Sequence, residues 1–122
     1  MINVLKTLKN ELKTLNIPYA FDKWDSDVIL PFFVGELDEL SYPYEDGKSE
    51  FSFTLTGEDV NTYTNLYNYA EILKNEYKHS KKIKVDGGYM VITYENTITI
   101  PIDIPSVKRI QIKFTIYLWE DN

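Results

Sequence analysis

The sequence predicts an α+β domain over residues 1–122, with two helices packed on one mainly antiparallel sheet. Three observations predict it. Two stretches carry apolar residues at three- and four-residue spacing, several others alternate apolar and polar residues, and Gly, Pro, Asn and Asp punctuate the boundaries. A chain of 122 residues buries roughly two thirds of the surface that its unfolded form exposes, enough for one core without staples.

Ile2, Leu5, Leu8, Leu12 and Leu15 recur at helical spacing, with Lys6, Lys9, Asn10 and Lys13 between them. The first segment is therefore an amphipathic helix laying one stripe on a core. Asn16-Ile17-Pro18 ends it, because a proline pushes the residue before it out of helical geometry. Tyr19-Ala20-Phe21 reads as a short strand, Lys23 to Asp27 as a loop, and Val28 to Val34 as a second extended run. Pro31 has no N–H to give to a ladder, which places that run near an edge or at a bulge. Glu36 to Lys48 is acidic and turn-rich around Tyr42-Pro43-Tyr44-Glu45-Asp46-Gly47.

Phe51, Phe53 and Leu55 alternate with Ser52, Thr54 and Thr56, a half-buried strand that Gly57 breaks. Glu58 and Asp59 stand before the second helix, where carboxylates suit the positive end of the dipole. Tyr63, Leu66, Ala70, Leu73 and Tyr77 form the buried stripe of that helix, and Lys74, Lys78 and His79 suit its far end. The remainder is sheet. Ile83 to Val85 leads into a hairpin-type turn at Asp86-Gly87-Gly88, Tyr89 to Tyr94 follows, and Glu95-Asn96 makes another turn. Ile98, Ile100, Ile102 and Ile104 alternate with Thr99, Pro101 and Asp103; the prolines at 101 and 105 withhold N–H groups along one edge. This segment is an edge strand or breaks off early. In the closing KRIQIKFTIYLWEDN, Ile110, Ile112, Phe114, Ile116 and Leu118 alternate with a face that begins polar and finishes in Tyr117 and Trp119.

The chain has no cysteine, which excludes disulfides and thiolate metal sites. It opens on a Lys-punctuated helix, not an apolar signal core, and no apolar run approaches the ~20 residues of a membrane span. The expectation is a soluble protein made in the cytoplasm, with no membrane partner. A net charge of −6 argues against general affinity for nucleic acid. Between Asp22 and Asp59 lie eleven acidic residues opposed only by Lys23 and Lys48, whereas Lys74, Lys78, Lys81, Lys82 and Lys84 face Glu76 alone. Either these are two solvated surfaces, or they are complementary patches suited to a head-to-tail interface between copies.

No residue pattern announces catalysis. His79 sits among lysines at a helix end, without the orienting carboxylate that a catalytic histidine needs. Asp25, Asp27 and Glu36 have the spacing of the first, third and twelfth calcium-loop positions. Ile29 and Leu30, however, stand where that loop needs an oxygen ligand and a glycine. Gly87-Gly88 lacks the following Lys-Ser/Thr of a phosphate loop. Asp103 between two prolines has no acid–base partner, and reads as an edge residue that deters strand addition. The expectation is a non-enzyme without metal or cofactor. Two accounts of Tyr117 and Trp119 stay open: the first helix covers them, or that face meets another subunit, since aromatics are enriched at interface centres.

The whole-chain layout resembles the tail terminator (tail completion) proteins of long-tailed bacteriophages and related prophage elements. The likeness is carried by the first helix MINVLKTLKNELKTLNIPYAF, the strand LPFFVG, the strand-turn-helix SEFSFTLTGEDVNTYTNLYNYAEILKNEY and the closing RIQIKFTIYLWE. It rests on pattern and order, so no family motif transfers residue by residue. The resemblance implies a structural virion protein, located in the tail and assembled in the host cytoplasm. Such a protein caps the tail tube as a hexameric ring, meets the tail tube protein and the head connector protein, and lets DNA pass through its lumen. The candidate interface residues come from this sequence: Lys78, Lys81 and Lys82 against Asp38, Glu39, Glu45 and Asp46, with Tyr117 and Trp119 under a neighbouring copy. Two rival readings are another head–tail connector or minor capsid protein, and a small cytosolic module holding a ligand or peptide near Tyr89, Tyr94 and Trp119.

Overall fold

The computed structural model describes residues 2–21, 29–41 and 48–120. The loop expected at Lys23–Asp27, the acidic residues Asp25 and Asp27, and the turn centred on Tyr42–Gly47 lie outside the described residues. In chain order the elements are α1 (Ile2–Thr14), β1 (Tyr19–Phe21), β2 (Phe32–Ser41), β3 (Lys48–Val60), α2 (Thr64–Tyr77), β4 (Lys81–Val85), β5 (Gly88–Ile100) and β6 (Val107–Glu120). The six strands form one curled sheet in the order β1-β2-β3-β6-β5-β4. It is mixed: β1 lies parallel to β2, and the other four pairings are antiparallel.

Both helices pack on one face of that sheet. The alternation of β6 sends Ile110, Ile112, Phe114, Ile116 and Leu118 to that face, and β3 contributes Phe51, Phe53 and Leu55, all buried. Leu66, Ala70, Leu73 and Tyr77 of α2 cover them as the heptad-like spacing requires. The stripe of α1 is centred on Val4, Leu8 and Leu12, while Ile2 is 70% exposed. Val4 joins the stripe formed by the leucines, whereas Ile2, roughly 160° around the helix from Val4, falls outside it. α1 ends before Pro18 takes effect. Asn16 is left-handed (φ 59°), its N–H reaches the Lys13 carbonyl (3.1 Å), and the Ile17 N–H reaches the Leu12 carbonyl (2.9 Å). This is the Schellman arrangement, completed by burial of Ile17 beside Leu12.

Several expected boundaries move because strands run on through apparent breakers. Glu36–Ser41 belongs to β2 and not to an acidic connection; Pro31 stands just before the strand, where its missing N–H costs no ladder bond. Gly57 does not end β3. It pairs with Phe33, and a Cβ there would lie 2.3 Å from the Phe33 ring, so the glycine makes room for an aromatic laid across the strand. Glu58 and Asp59 are consequently strand residues. Asp59 still serves the helix: its carboxylate accepts from the Val60 N–H (2.8 Å) and from Asn65 Nδ2 in the first turn of α2 (3.3 Å).

The turn expected at Glu95-Asn96 is a register shift inside one continuous β5. One extra residue reverses the side-chain alternation. Met90, Ile92 and Tyr94 point to the helices, but beyond the shift Thr97 and Thr99 do, and Ile98 and Ile100 pass to the opposite face. The threonines are held there by hydroxyl contacts, Thr97 with Tyr94 (2.6 Å) and Thr99 with Tyr67 of α2 (2.7 Å). β5 stops at Ile100, directly before Pro101, and past Ile92 it has no β4 partner, so this half is an edge as the prolines demand.

Phe33 is fully buried and packs edge-to-face on Tyr69 (5.8 Å), so its ring cannot swing clear of a new methyl group. Gly57→Ala is expected to lower stability by about 1–3 kcal/mol in urea unfolding. The same substitution in a Phe33→Leu background should cost clearly less; equal costs in the two backgrounds would refute the close-approach account.

Candidate interaction surface

With α1 and α2 on the same side, the other face of the sheet carries no described helix. The expectation that the first helix covers Tyr117 and Trp119 is therefore corrected: α1 follows the larger apolar stripe of β3 and β6 to the opposite side. Register assigns the helix-free face. Across its middle run Ser52, Thr115 and Thr93, directly paired and flanked by Thr54 and Lys113. At one end Glu58 and Arg109 sit opposite each other and form an ion pair, with Arg109 Nε 2.7 Å from Glu58 Oε2. Their charges are settled within the chain.

The other end is aromatic. Tyr89 and Trp119 are cross-strand partners and stack at 4.9 Å and 16°, and Tyr117 leans on Trp119 at 6.0 Å. Lysines cap the row: Lys48 Nζ lies 4.4 Å from the Tyr117 ring centre, and Lys82 Nζ lies 4.1 Å from that of Tyr89. Gly88 makes the stack possible. A Cβ there would meet the Trp119 carbonyl oxygen at 1.8 Å, so only glycine lets β6 draw this close to the start of β5. Tyr89, Tyr117 and Trp119 are each half-buried on the face away from the helices, an aromatic grouping that suits a partner surface with apolar groups.

The residues expected from sequence separate into three groups. Tyr117, Trp119 and Lys82 come together in the aromatic row. Asp38 and Glu39 are exposed, but on β2 and not in a loop, and Lys78 is exposed at the C-cap of α2 on the helix side. Glu45 and Asp46 lie outside the described residues. Lys81 is not available as a free cation: its Nζ bridges Glu11 of α1 (2.9 Å) and Glu76 of α2 (2.7 Å). Sequence reasoning missed Lys48 and the turning outward of Ile98 and Ile100. The lysine's signal was its place at the start of a strand, but the isoleucines gave none, because a bulge is invisible to periodicity.

The ligand pocket imagined around Tyr89, Tyr94 and Trp119 is not assembled. Tyr94 points to the helices and packs edge-to-face on Phe114, whereas Tyr89 and Trp119 lie on the opposite face. His79 and Asp103 are both exposed. Among the described residues no three His, Cys, Asp or Glu side chains are grouped closely enough to hold a metal ion.

A polar cluster of Tyr77, Glu11, Glu76 and Lys81 ties the helical layer together. Buried Tyr77 donates to Glu11 (2.7 Å), which also receives Lys81, so α1, α2 and β4 are tied at one point. Burial, then the hydrogen bond to Glu11, push the Tyr77 phenol far above its ordinary value of 10.0. The Lys81 ammonium is also raised, mainly by its hydrogen bond to Glu76. Both shifts have one sign: the folded state holds a proton more tightly than the unfolded chain. The stability they contribute is complete below about pH 10 and is lost as pH rises past that value towards the folded-state pKa. Tyr77→Phe should cost about 1 kcal/mol at pH 7 and make the loss of stability between pH 9 and about pH 11 shallower in denaturant titrations; an unchanged slope would refute the assignment. No protein-family model matches the chain, and a search of curated proteins likewise finds no match.

Proposed function

We propose that this chain is a structural assembly subunit of a phage or prophage particle, a tail terminator that closes the tail tube as a ring and joins it to the head connector. The observation that carries the reading is the helix-free sheet face ending in Tyr89, Trp119 and Tyr117. A broad Thr-lined sheet face with an aromatic end suits burial against another protein subunit. The mixed charge of the domain points the same way. Acidic and basic residues lie on separate edges, as copies that meet head to tail require.

On this reading the protein forms large species as its concentration rises. Light scattering should show a mass several times that of the 14.3 kDa chain, and negative-stain images of that species should show rings. Trp119→Ala removes the largest ring from the proposed contact and is expected to raise the concentration needed for assembly by about tenfold or more, with circular dichroism unchanged. A protein that stays monomeric at millimolar concentration, alone and beside tail tubes, would refute the reading.

A further inference from the structure

The two ends of the sheet carry opposite charges, and their geometry specifies a contact more closely than charge alone. At one end β1 covers only Phe33–Gly35 of β2, which leaves Glu36–Ser41 without a described strand on its outer side. At the other end β4 is the terminal strand, its outer side equally unpaired among the described residues. The uncovered part of β2 is six residues long and β4 is five. Glu36 and Asp38 alternate along the first, Lys82 and Lys84 along the second, and all four are exposed. Register places all four on the same helix-free face: Asp38 pairs with Ser52 and Glu36 with Thr54, while Lys82 pairs with Val91 and Lys84 with Tyr89. Among the described residues none of the four has an ion-pair partner in its own chain.

Resting on the self-assembly reading above, we propose that the acidic outer edge of β2 in one copy pairs with the basic outer edge of β4 in a second copy of this chain, continuing the sheet from subunit to subunit. Four antiparallel steps separate β2 from β4, so both strands run in the same direction. A rotation about an axis near the strand direction preserves that sense and brings β4 beside the next copy's β2 in parallel. β4 then occupies the line of β1, just beyond its end. Lys82 and Lys84 face Glu36 and Asp38 at matching two-residue spacing on one side of the new sheet. The alternative two-fold contacts are disfavoured by the same charges, since β4 on β4 opposes lysine to lysine and β2 on β2 opposes acid to acid. The contact is heterologous, and it closes into a ring where the rotation per copy permits.

The charges can be exchanged to test this. Glu36→Lys with Asp38→Lys makes both edges basic, and Lys82→Glu with Lys84→Glu makes both acidic. Each variant alone should remain monomeric by light scattering at concentrations where the wild type assembles. An equimolar mixture should recover the wild-type mass, because every contact then pairs unlike edges in alternation. The wild-type species should also lose mass at high salt. Assembly of either variant alone at wild-type concentration, or failure of two folded variants to recover on mixing, overturns edge pairing while leaving self-assembly by another surface intact. A wild type that never assembles overturns both. Because the chain has no cysteine, Asp38→Cys combined with Lys82→Cys or Lys84→Cys gives an independent readout. Oxidation should produce a ladder of covalent multimers from the double variant, whereas each single variant should stop at dimers; a double variant that also stops at dimers overturns the proposal.

Discussion

Thirteen consecutive antiparallel pairs join β3 to β6, from Lys48 opposite Trp119 to Val60 opposite Val107. Everything else depends on that pairing. Side chains alternate across a strand, so the register that brings Phe51, Phe53 and Leu55 beside Ile116, Phe114 and Ile112 also brings Lys48, Glu50 and Ser52 beside Trp119, Tyr117 and Thr115. One face becomes continuous hydrocarbon and must be covered; the other is left with hydroxyls, charges and three neighbouring rings, two of them stacked. A slip of one residue would send both sets to the wrong side. Both helices go to the hydrocarbon face because it offers the larger apolar area, and burial scales with area.

Local departures from regularity then shape the face opposite the described helices. Two glycines act through the side chain they lack: Gly57 admits the Phe33 ring over β3, and Gly88 admits the β6 backbone beside the start of β5. The first completes the core at the β2 end, and the second brings Trp119 onto Tyr89. The shift between Tyr94 and Asn96 moves Ile98 and Ile100 out of the helical layer, where two threonine hydroxyls replace them in contact with tyrosines. Each departure lowers regularity at one place and alters what the helix-free face presents.

Charge is divided between interior bookkeeping and the edges. Glu11, Glu76 and Lys81 hold the two helices and β4 together, and Glu58 and Arg109 neutralise each other across two strands. The two sheet edges differ in sign: Glu36, Asp38 and Glu39 lie along the part of β2 beyond β1, and Lys82 and Lys84 along β4. Lysines on an edge strand deter unspecific pairing, and the same lysines leave an acidic edge as the fitting neighbour.

Periodicity determined both helices and the apolar set of β6, and turn residues and prolines determined the β4–β5 hairpin and the early end of β5, because each is encoded by residues within a turn or a strand of one another. The alternation of Ile110 through Leu118 likewise announced that Tyr117 and Trp119 share the other face. The tertiary structure decided the rest. Whether α1 covers those aromatics depends on apolar area supplied by β3, some fifty residues further along the chain. Gly57 reads as a breaker until Phe33 is seen above it, Glu36–Ser41 reads as a loop until β3 pairs with it, and Lys81 reads as a free cation until two helices bring acids to it. A sequence states which residues can share a face. Which faces meet, and in what register, is fixed only when distant segments compete for the same apolar surface.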